Sequence, residues 1–427
     1  MTLRCAGCGT TVPSDAGPWP WSCPNRRPGD DIDHLMVPVP ATTGSALVDE
    51  NDNPFVRYRR QLSSYQVWRN AGRDDDSFVA LVDDLDSRIA KVAGHGFVVT
   101  PVRQFSVLDE AVGARVWVKD ETANVGGSHK GRQLFGVLLL LEVLEELGRM
   151  PRRDLAIASC GNAALAAGVL AAAAGRRLTA YVPIEADSSV ITELRDLGVD
   201  VEACARDRDA GDPCYRRFRA AVADGDVPFS CQGPDNGAVL EGAATLAWEL
   251  VEAVPGSLDR VVVQVGGGAL ASGLARGFEA RAVTPVFDTV QTSGAHPLER
   301  ALDRLRETMA AGASVGEAMA AAAAHRSRYM WPWEATPVSV ARGILDDETY
   351  DWLALARAML TTGGTAVVAD EAILVEANHL ARSVTGIDVD ETGSAGLAGL
   401  LWLARAGRIP RDSNVAVLFT GTGPVLG

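Results

Sequence analysis

Residues 155–183, LAIASCGNAALAAGVLAAAAGRRLTAYVP, hold the pattern that decides the fold: an apolar run, a glycine-containing turn, an Ala-rich helical stretch, and a second apolar run. Two strands separated by a helix pair in parallel through a right-handed crossover. The alternation continues outward from this unit. VDVEAC (199–204) and RVVVQV (260–265) read as further strands, with helices expected from Val190 and Pro213. On the N-terminal side a β-like run from Arg115 to Lys119 precedes a helix expected around Leu134. On the other side, residues 298–325 read as an Ala-rich helix pair and 331–345 as a loop bearing Trp and Pro. Residues 346–410 read as more helices before a last strand, VAVLF (415–419). The predicted fold is α/β: two open, twisted, mostly parallel sheets with helices on both faces.

Near the N-terminus, residues 53–60 (NPFVRYRR) read as an arm and Asp76 to Ala93 as a helix. The first forty residues, rich in Cys, Pro, Gly and Asp, read as a loop-dominated knuckle. The expected division is a Cys-rich knuckle at 1–45, a large domain from 46–125 and 236–427, and a smaller mobile α/β domain at 126–235.

A chain of 427 residues suffices for two such bodies, each with its own core. Its net charge of -15 repels phosphate-rich partners, so no nucleic acid and no anionic membrane is expected, and a small molecule is. No apolar h-region follows Met1, and no run of about eighteen apolar residues occurs, so a cytoplasmic protein is expected. Seven cysteines, an odd number, suit reduced thiols better than a disulfide framework.

Four short stretches carry chemistry. In Gly126-Gly127-Ser128-His129-Lys130-Gly131-Arg132, a lysine stands at the mouth of a helix, where an electropositive setting favours a neutral amine able to form a Schiff base. Alone, such a lysine is more often a solvated surface residue. Ser159-Cys160-Gly161-Asn162 can cap a helix and present an amide; an ordinary N-cap is the plainer reading. Gly266-Gly267-Gly268-Ala269 follows a strand and opens a helix, so its backbone amides can converge on an anion, although a tight turn explains it equally. It lacks the Gly-Lys-Ser/Thr of a P-loop and the spacing of a dinucleotide site. Phe419-Thr420-Gly421-Thr422-Gly423 offers a hydroxyl at a strand end, or a frayed terminus. All four fall at the C-terminal ends of strand-like runs, where open α/β sheets place their ligands.

These stretches resemble the pyridoxal-phosphate (PLP) enzymes of the tryptophan-synthase-β fold, called fold type II, and within it the threonine-synthase-like branch. Thr100-Pro101 and VWVKDETANVGGSHKGR are similar to that family's TP-L, KxE and SFKxRG segments, and EGAATLAWE (241–249) to the EGxxTLAxE segment of threonine synthases. The resemblance implies PLP held by Lys130, its 3'-oxygen bonded by Asn162, its phosphate cradled by Gly266, Gly267, Gly268 and Ala269, and its ring nitrogen faced by Thr420. A hydroxyl at that nitrogen does not keep the ring protonated, which favours elimination and replacement over transamination. The chain departs from the pattern at His129, where the family has Phe, at Cys160 inside SxGN, and at Gly131 after the lysine. His129 is open to a second acid/base role, or to packing or phosphate contact.

In the knuckle, Cys5, Cys8, Cys23 and His34 form a thiolate and imidazole set suited to tetrahedral zinc, with a metal-free remnant as the alternative; Arg26 stands where a second CxxC would need cysteine. The function expected is a PLP-dependent lyase or transferase working at the β or γ carbon of an L-amino acid, threonine-synthase-like. Serine/threonine or diaminopropionate ammonia-lyase chemistry is the runner-up, and a non-catalytic partner subunit the reading from another class. The resemblance implies a homodimer.

Overall fold

The computed structural model describes residues 2–14, 19–39, 48–205 and 212–422. Gly423 and the expected boundary at 45/46 lie outside them. The knuckle is a small antiparallel sheet of β1 (Thr2–Cys5), β2 (Thr11–Pro13) and β3 (Met36–Pro38), in the order β2-β1-β3. The body contains β4 (Val102–Gln104), β5 (Arg115–Asp120), β6 (Leu155–Ala158), β7 (Leu178–Pro183), β8 (Asp200–Cys204), β9 (Val227–Pro228), β10 (Arg260–Gln264), β11 (Val286–Thr292), β12 (Ala366–Ala369) and β13 (Asn414–Phe419). They form two sheets, β12-β11-β10-β13-β5-β4 and β8-β7-β6-β9. Every pair in the body is parallel except β4 with β5. The α/β architecture is therefore the one the sequence pattern predicts.

Several local expectations needed correction. The helix expected around Leu134 spans Lys130–Glu146, and the one from Val190 spans Ser188–Asp196. Residues 346–410 are not all helical: β12 pairs with β11, a strand the sequence reading did not single out. β11 is buried at all but its first residue and so lacks the alternation that marks a half-exposed strand, while β12, with four residues, is too short to show a period. Residues 53–60 hold a short helix, Pro54–Arg57, capped by the Asn53 side chain.

The helix that begins at Lys130 is buried all round over residues 131–141, and from Leu134 to Leu141 that stretch carries no polar side chain. Such a helix runs through a core instead of lying on it. Its path is set by close backbone approach. A Cβ on Gly242, in the helix Val239–Ala253, would strike the Arg132 carbonyl, and one on Gly136 would come within 3.2 Å of the Gly242 nitrogen. Glycine at these two crossings brings the two axes together and pins the N-terminus of the helix.

Candidate active site

Because β13 lies between β10 and β5, its continuation Thr420–Thr422 runs between the loop carrying Lys130 and the glycine loop after β10. This strand end ties the site together. Ser128 bridges to Gly421, the His129 amide donates to the Thr420 carbonyl at 2.9 Å, and the Thr422 amide donates to the Gly127 carbonyl at 3.1 Å. From the smaller sheet, Asn162 starts the helix after β6, and its Nδ2 donates to the Thr422 carbonyl at 3.4 Å. Lys130, Asn162, Thr420 and the glycine loop, far apart in sequence, thus meet at the C-terminal ends of β5, β6, β13 and β10.

Thr420 is oriented by a residue the sequence reading passed over. Gln264 Nε2 donates to Thr420 Oγ1 at 2.9 Å and to the Gly393 carbonyl at 2.7 Å. Carbonyls only accept, so the amide nitrogen is fixed on this side, and the Thr420 oxygen is the acceptor of that bond. The hydroxyl proton of Thr420 is left to donate elsewhere, as a pyridine nitrogen requires. The available signal was a polar residue closing the apolar run RVVVQV.

The glycine loop opens the helix Ala269–Ala280, with Gly268 at φ 97°, a backbone state that a side chain rarely adopts. The loop already holds an anion. Asp346 Oδ2 fills the space a Cβ on Gly266 would need and lies 3.8 Å from where one on Gly267 would stand, and the Gly267 amide lowers the pKa of the Asp346 carboxyl against its burial. That carboxylate is a stand-in for a phosphate, so the cradle fits the group the sequence motifs imply.

Beneath Lys130 the motifs of the sequence analysis converge on a buried ion network. Arg132 Nε pairs with Glu121 at 2.9 Å, its Nη1 with Glu249 at 2.5 Å and Thr245 at 3.1 Å, and its Nη2 with Thr100 Oγ1 at 3.0 Å. Lys119 pairs with Glu249 and donates to the Thr100 carbonyl at 2.6 Å. All of these residues are buried. The TP, KxE, lysine-loop and TLAWE segments are therefore one structural clamp holding the start of the Lys130 helix.

The helix-mouth setting of Lys130 is not the purely electropositive one expected. Its charge acts on two carboxyls: Asp346, pushed up by burial to about 6, and Asp351, pushed up by burial to about 7. Asp351 is held by the Gly233 amide at 3.0 Å, while its Oδ1 has no partner. Both acids lie in residues 346–351, where the sequence pattern predicts helix but the structure begins one only at Trp352.

His129 is half-buried with its ring turned inward. Desolvation, then the Lys130 charge, lower its pKa to about 3. Its Nδ1 lies 3.1 Å from the Thr420 carbonyl, which can only accept, so Nδ1 carries the proton and the ring is neutral. Of the roles left open for it, this arrangement is a packing one. The capping expectation for Ser159 and Asn162 also fails: Gly161 is the N-cap, with no side-chain cap bond, and Asn162 is left free for other contacts.

In the knuckle, the donor atoms of Cys5, Cys8, Cys23 and His34 all lie within 4.8 Å of one another. Cys8 Sγ is 3.6 Å from Cys23 Sγ, close to the edge of about 3.8 Å that zinc–sulfur bonds of about 2.3 Å give in a tetrahedron. His34 Nδ1 is 3.4 Å from Cys5 Sγ, and Asp30 meets His34 Nε2 at 3.2 Å. A carboxylate on the far ring nitrogen is how metal-bound histidines are oriented, so the donor set fits zinc.

Comparison with known proteins agrees with this geometry. A rat serine dehydratase-like protein is 29% identical over 48% of this chain and 59% of its own length, so the chain spans well under the whole of that relative. A threonine synthase of Methanocaldococcus jannaschii is 24% identical over 79% of this chain and 77% of its own length. Among solved structures, maize serine racemase superposes with a TM-score of 0.61 at 19% identity, covering 81% of this chain and 94% of that one, which speaks to the fold alone. The model of the pyridoxal-phosphate dependent enzyme family matches residues 95–421, most of the chain, with three of the site's loops whole and the fourth through Gly421, and the protein belongs to that family.

Proposed function

We propose that this protein catalyses elimination or replacement at the β or γ carbon of an L-amino acid, in the manner of threonine synthase, with PLP on Lys130. The observation that carries this reading is Thr420, whose hydroxyl accepts from Gln264 and keeps its proton for a ring nitrogen. Asn162 is assigned to the ring's 3'-oxygen and Gly266, Gly267, Gly268 and Ala269 to the phosphate. Bound there, the cofactor supplies an electron sink for charge at the α-carbon.

The protein's own residues do the rest. Lys130, freed when substrate binds, takes the α-proton and returns it. The ion network around Arg132 keeps the start of its helix from moving during that exchange. His129, neutral and anchored to the Thr420 carbonyl, acts in positioning and not as a second base. The two sheets, bridged at Asn162 and Thr422, act as a large and a smaller body that close on the substrate.

Absorption spectra taken while adding serine, threonine, their O-acetyl and O-phospho derivatives, and diaminopropionate test this. A visible band that shifts with one of them selects the substrate class; no band after added PLP refutes the reading. Borohydride reduction followed by peptide mass spectrometry must find the pyridoxyl group on Lys130. The match to a serine dehydratase-like protein favours ammonia-lyase chemistry as a second reading, which release of a keto acid and ammonia would establish. A Lys130→Ala variant that kept all biological activity would instead indicate a non-catalytic partner subunit.

We extend the reading to a structural zinc on Cys5, Cys8, Cys23 and His34, tested by metal analysis, and to a cytoplasmic homodimer, tested by size exclusion. Among the described residues no helix is long and apolar enough to cross a membrane.

A further inference from the structure

One side chain between the glycine loop and Lys130 has no part in the function above. Asp346 follows the turn Arg342–Ile344, in a segment that folds back over the loop. The residue is half-buried with its carboxyl inward. Its influences are the Gly267 amide and the Lys130 charge, both of which stabilise the carboxylate against the burial that opposes it. On its own segment only its backbone amide compensates; among the side chains Asp347 raises the Asp346 pKa, and Asp346 in turn raises that of Tyr350. By contrast, Glu121 and Glu249 are matched by Arg132 and Lys119.

The geometry points to Asp346 as a plug on the anion seat: in the cofactor-free protein its carboxylate occupies the glycine loop, and a phosphate takes that seat only by expelling it. The inference rests on the assignment of the phosphate to this loop. One seat cannot hold both anions, since like charges in contact repel strongly in a site shielded from water. The exchange also changes the surroundings of Lys130, which loses a nearby carboxylate as the phosphate arrives. A small free anion gains only the Lys130 charge that Asp346 already enjoys, and has no aldehyde for Lys130 and no ring oxygen for Asn162 to offset the displacement. The plug therefore excludes inorganic phosphate from a site that a phosphorylated aldehyde can fill.

The test compares cofactor-stripped wild-type protein with Asp346→Asn and Asp346→Ala. Inorganic phosphate binding is read by calorimetry and PLP uptake by the visible band. Both variants should bind inorganic phosphate about tenfold more tightly than wild type and take up PLP faster. Equal or weaker binding in both overturns the plug while leaving the seat intact, provided all three take up PLP. If none of the three binds phosphate or PLP, the seat assignment and the plug fall together. A second measurement needs no variant: on adding PLP to wild type, amide exchange in residues 342–348 should rise as Asp346 is expelled. Unchanged or slower exchange there contradicts the proposal.

Discussion

Lys130 stands between two charged clusters that differ in one respect. Below it, Arg132 and Lys119 are surrounded by Glu121, Glu249, Thr100 and Thr245, and Arg132 and Lys119 each meet a carboxylate. Beside it, Asp346 and Asp351 face Lys130 without a dedicated cation, and Asp351 Oδ1 and Asp235 Oδ2 are buried without partners. The pKa directions separate the two clusters. Burial opposes ionisation of Glu249, yet Arg132 and Lys119 outweigh it and the net shift is down, whereas the Asp351 carboxyl goes up to about 7. A satisfied cluster holds a scaffold in one arrangement; an unsatisfied one responds to protons and ligands.

Removing a single partner from the satisfied cluster should have the largest effect. Arg132→Met leaves Glu121 and Glu249 buried without their main cation and should cost about 3–5 kcal/mol in urea unfolding. If it costs less than about 1 kcal/mol, the clamp is not what holds the Lys130 helix.

In the unsatisfied cluster the sign reverses. The Asp351 carboxyl is raised from 3.8 to about 7, so the folded protein keeps a proton that the unfolded chain has released. Its contribution to stability is present below pH about 4 and falls as pH climbs toward about 7, by roughly 2–4 kcal/mol in all. Asp351→Asn should flatten that fall and leave the protein more stable than wild type at pH 8, as measured by unfolding at several pH values. A variant whose pH profile matches wild type would show that Asp351 is already compensated.

A smaller effect is expected at Gln264, which joins the site to the strand end. Gln264→Leu removes the donor that orients Thr420 and should weaken PLP affinity by about 1 kcal/mol, read as a several-fold rise in its dissociation constant, with Lys130 still modified. The smallest effect on the catalytic body should follow zinc removal from the knuckle. Cys8→Ser or a chelator should abolish any bound zinc while the visible PLP band persists, because the four donors lie outside the sheets that carry Lys130, Asn162 and Thr420. Loss of the band along with the metal would tie the knuckle to the site.

Much of this was legible in the chain. Strand, turn and helix alternated strongly enough in residues 155–183 to name the fold class, and the four loops were found because glycine, asparagine and threonine at strand ends are local signals. β11 was missed because a strand buried on both faces loses its alternation, β12 because four residues are too few to show one, and the Lys130 helix started earlier than its apolar pattern suggested. The metal set in the knuckle was named residue by residue, yet its donors are brought together only by the turn of chain from Asp30 to His34 and the pairing of β1 with β3.

By itself, then, the sequence determined the α/β class, the family and the loops proposed to hold the cofactor, because propensity and short-range motifs are written locally. Only the tertiary structure decided what the charged residues mean. Lys119, Glu121, Arg132, Glu249, Asp346 and Asp351 look alike along the chain. Burial and partner choice, set by contacts between residues more than a hundred positions apart such as Arg132 and Glu249, make the first four a clamp and the last two a responsive site.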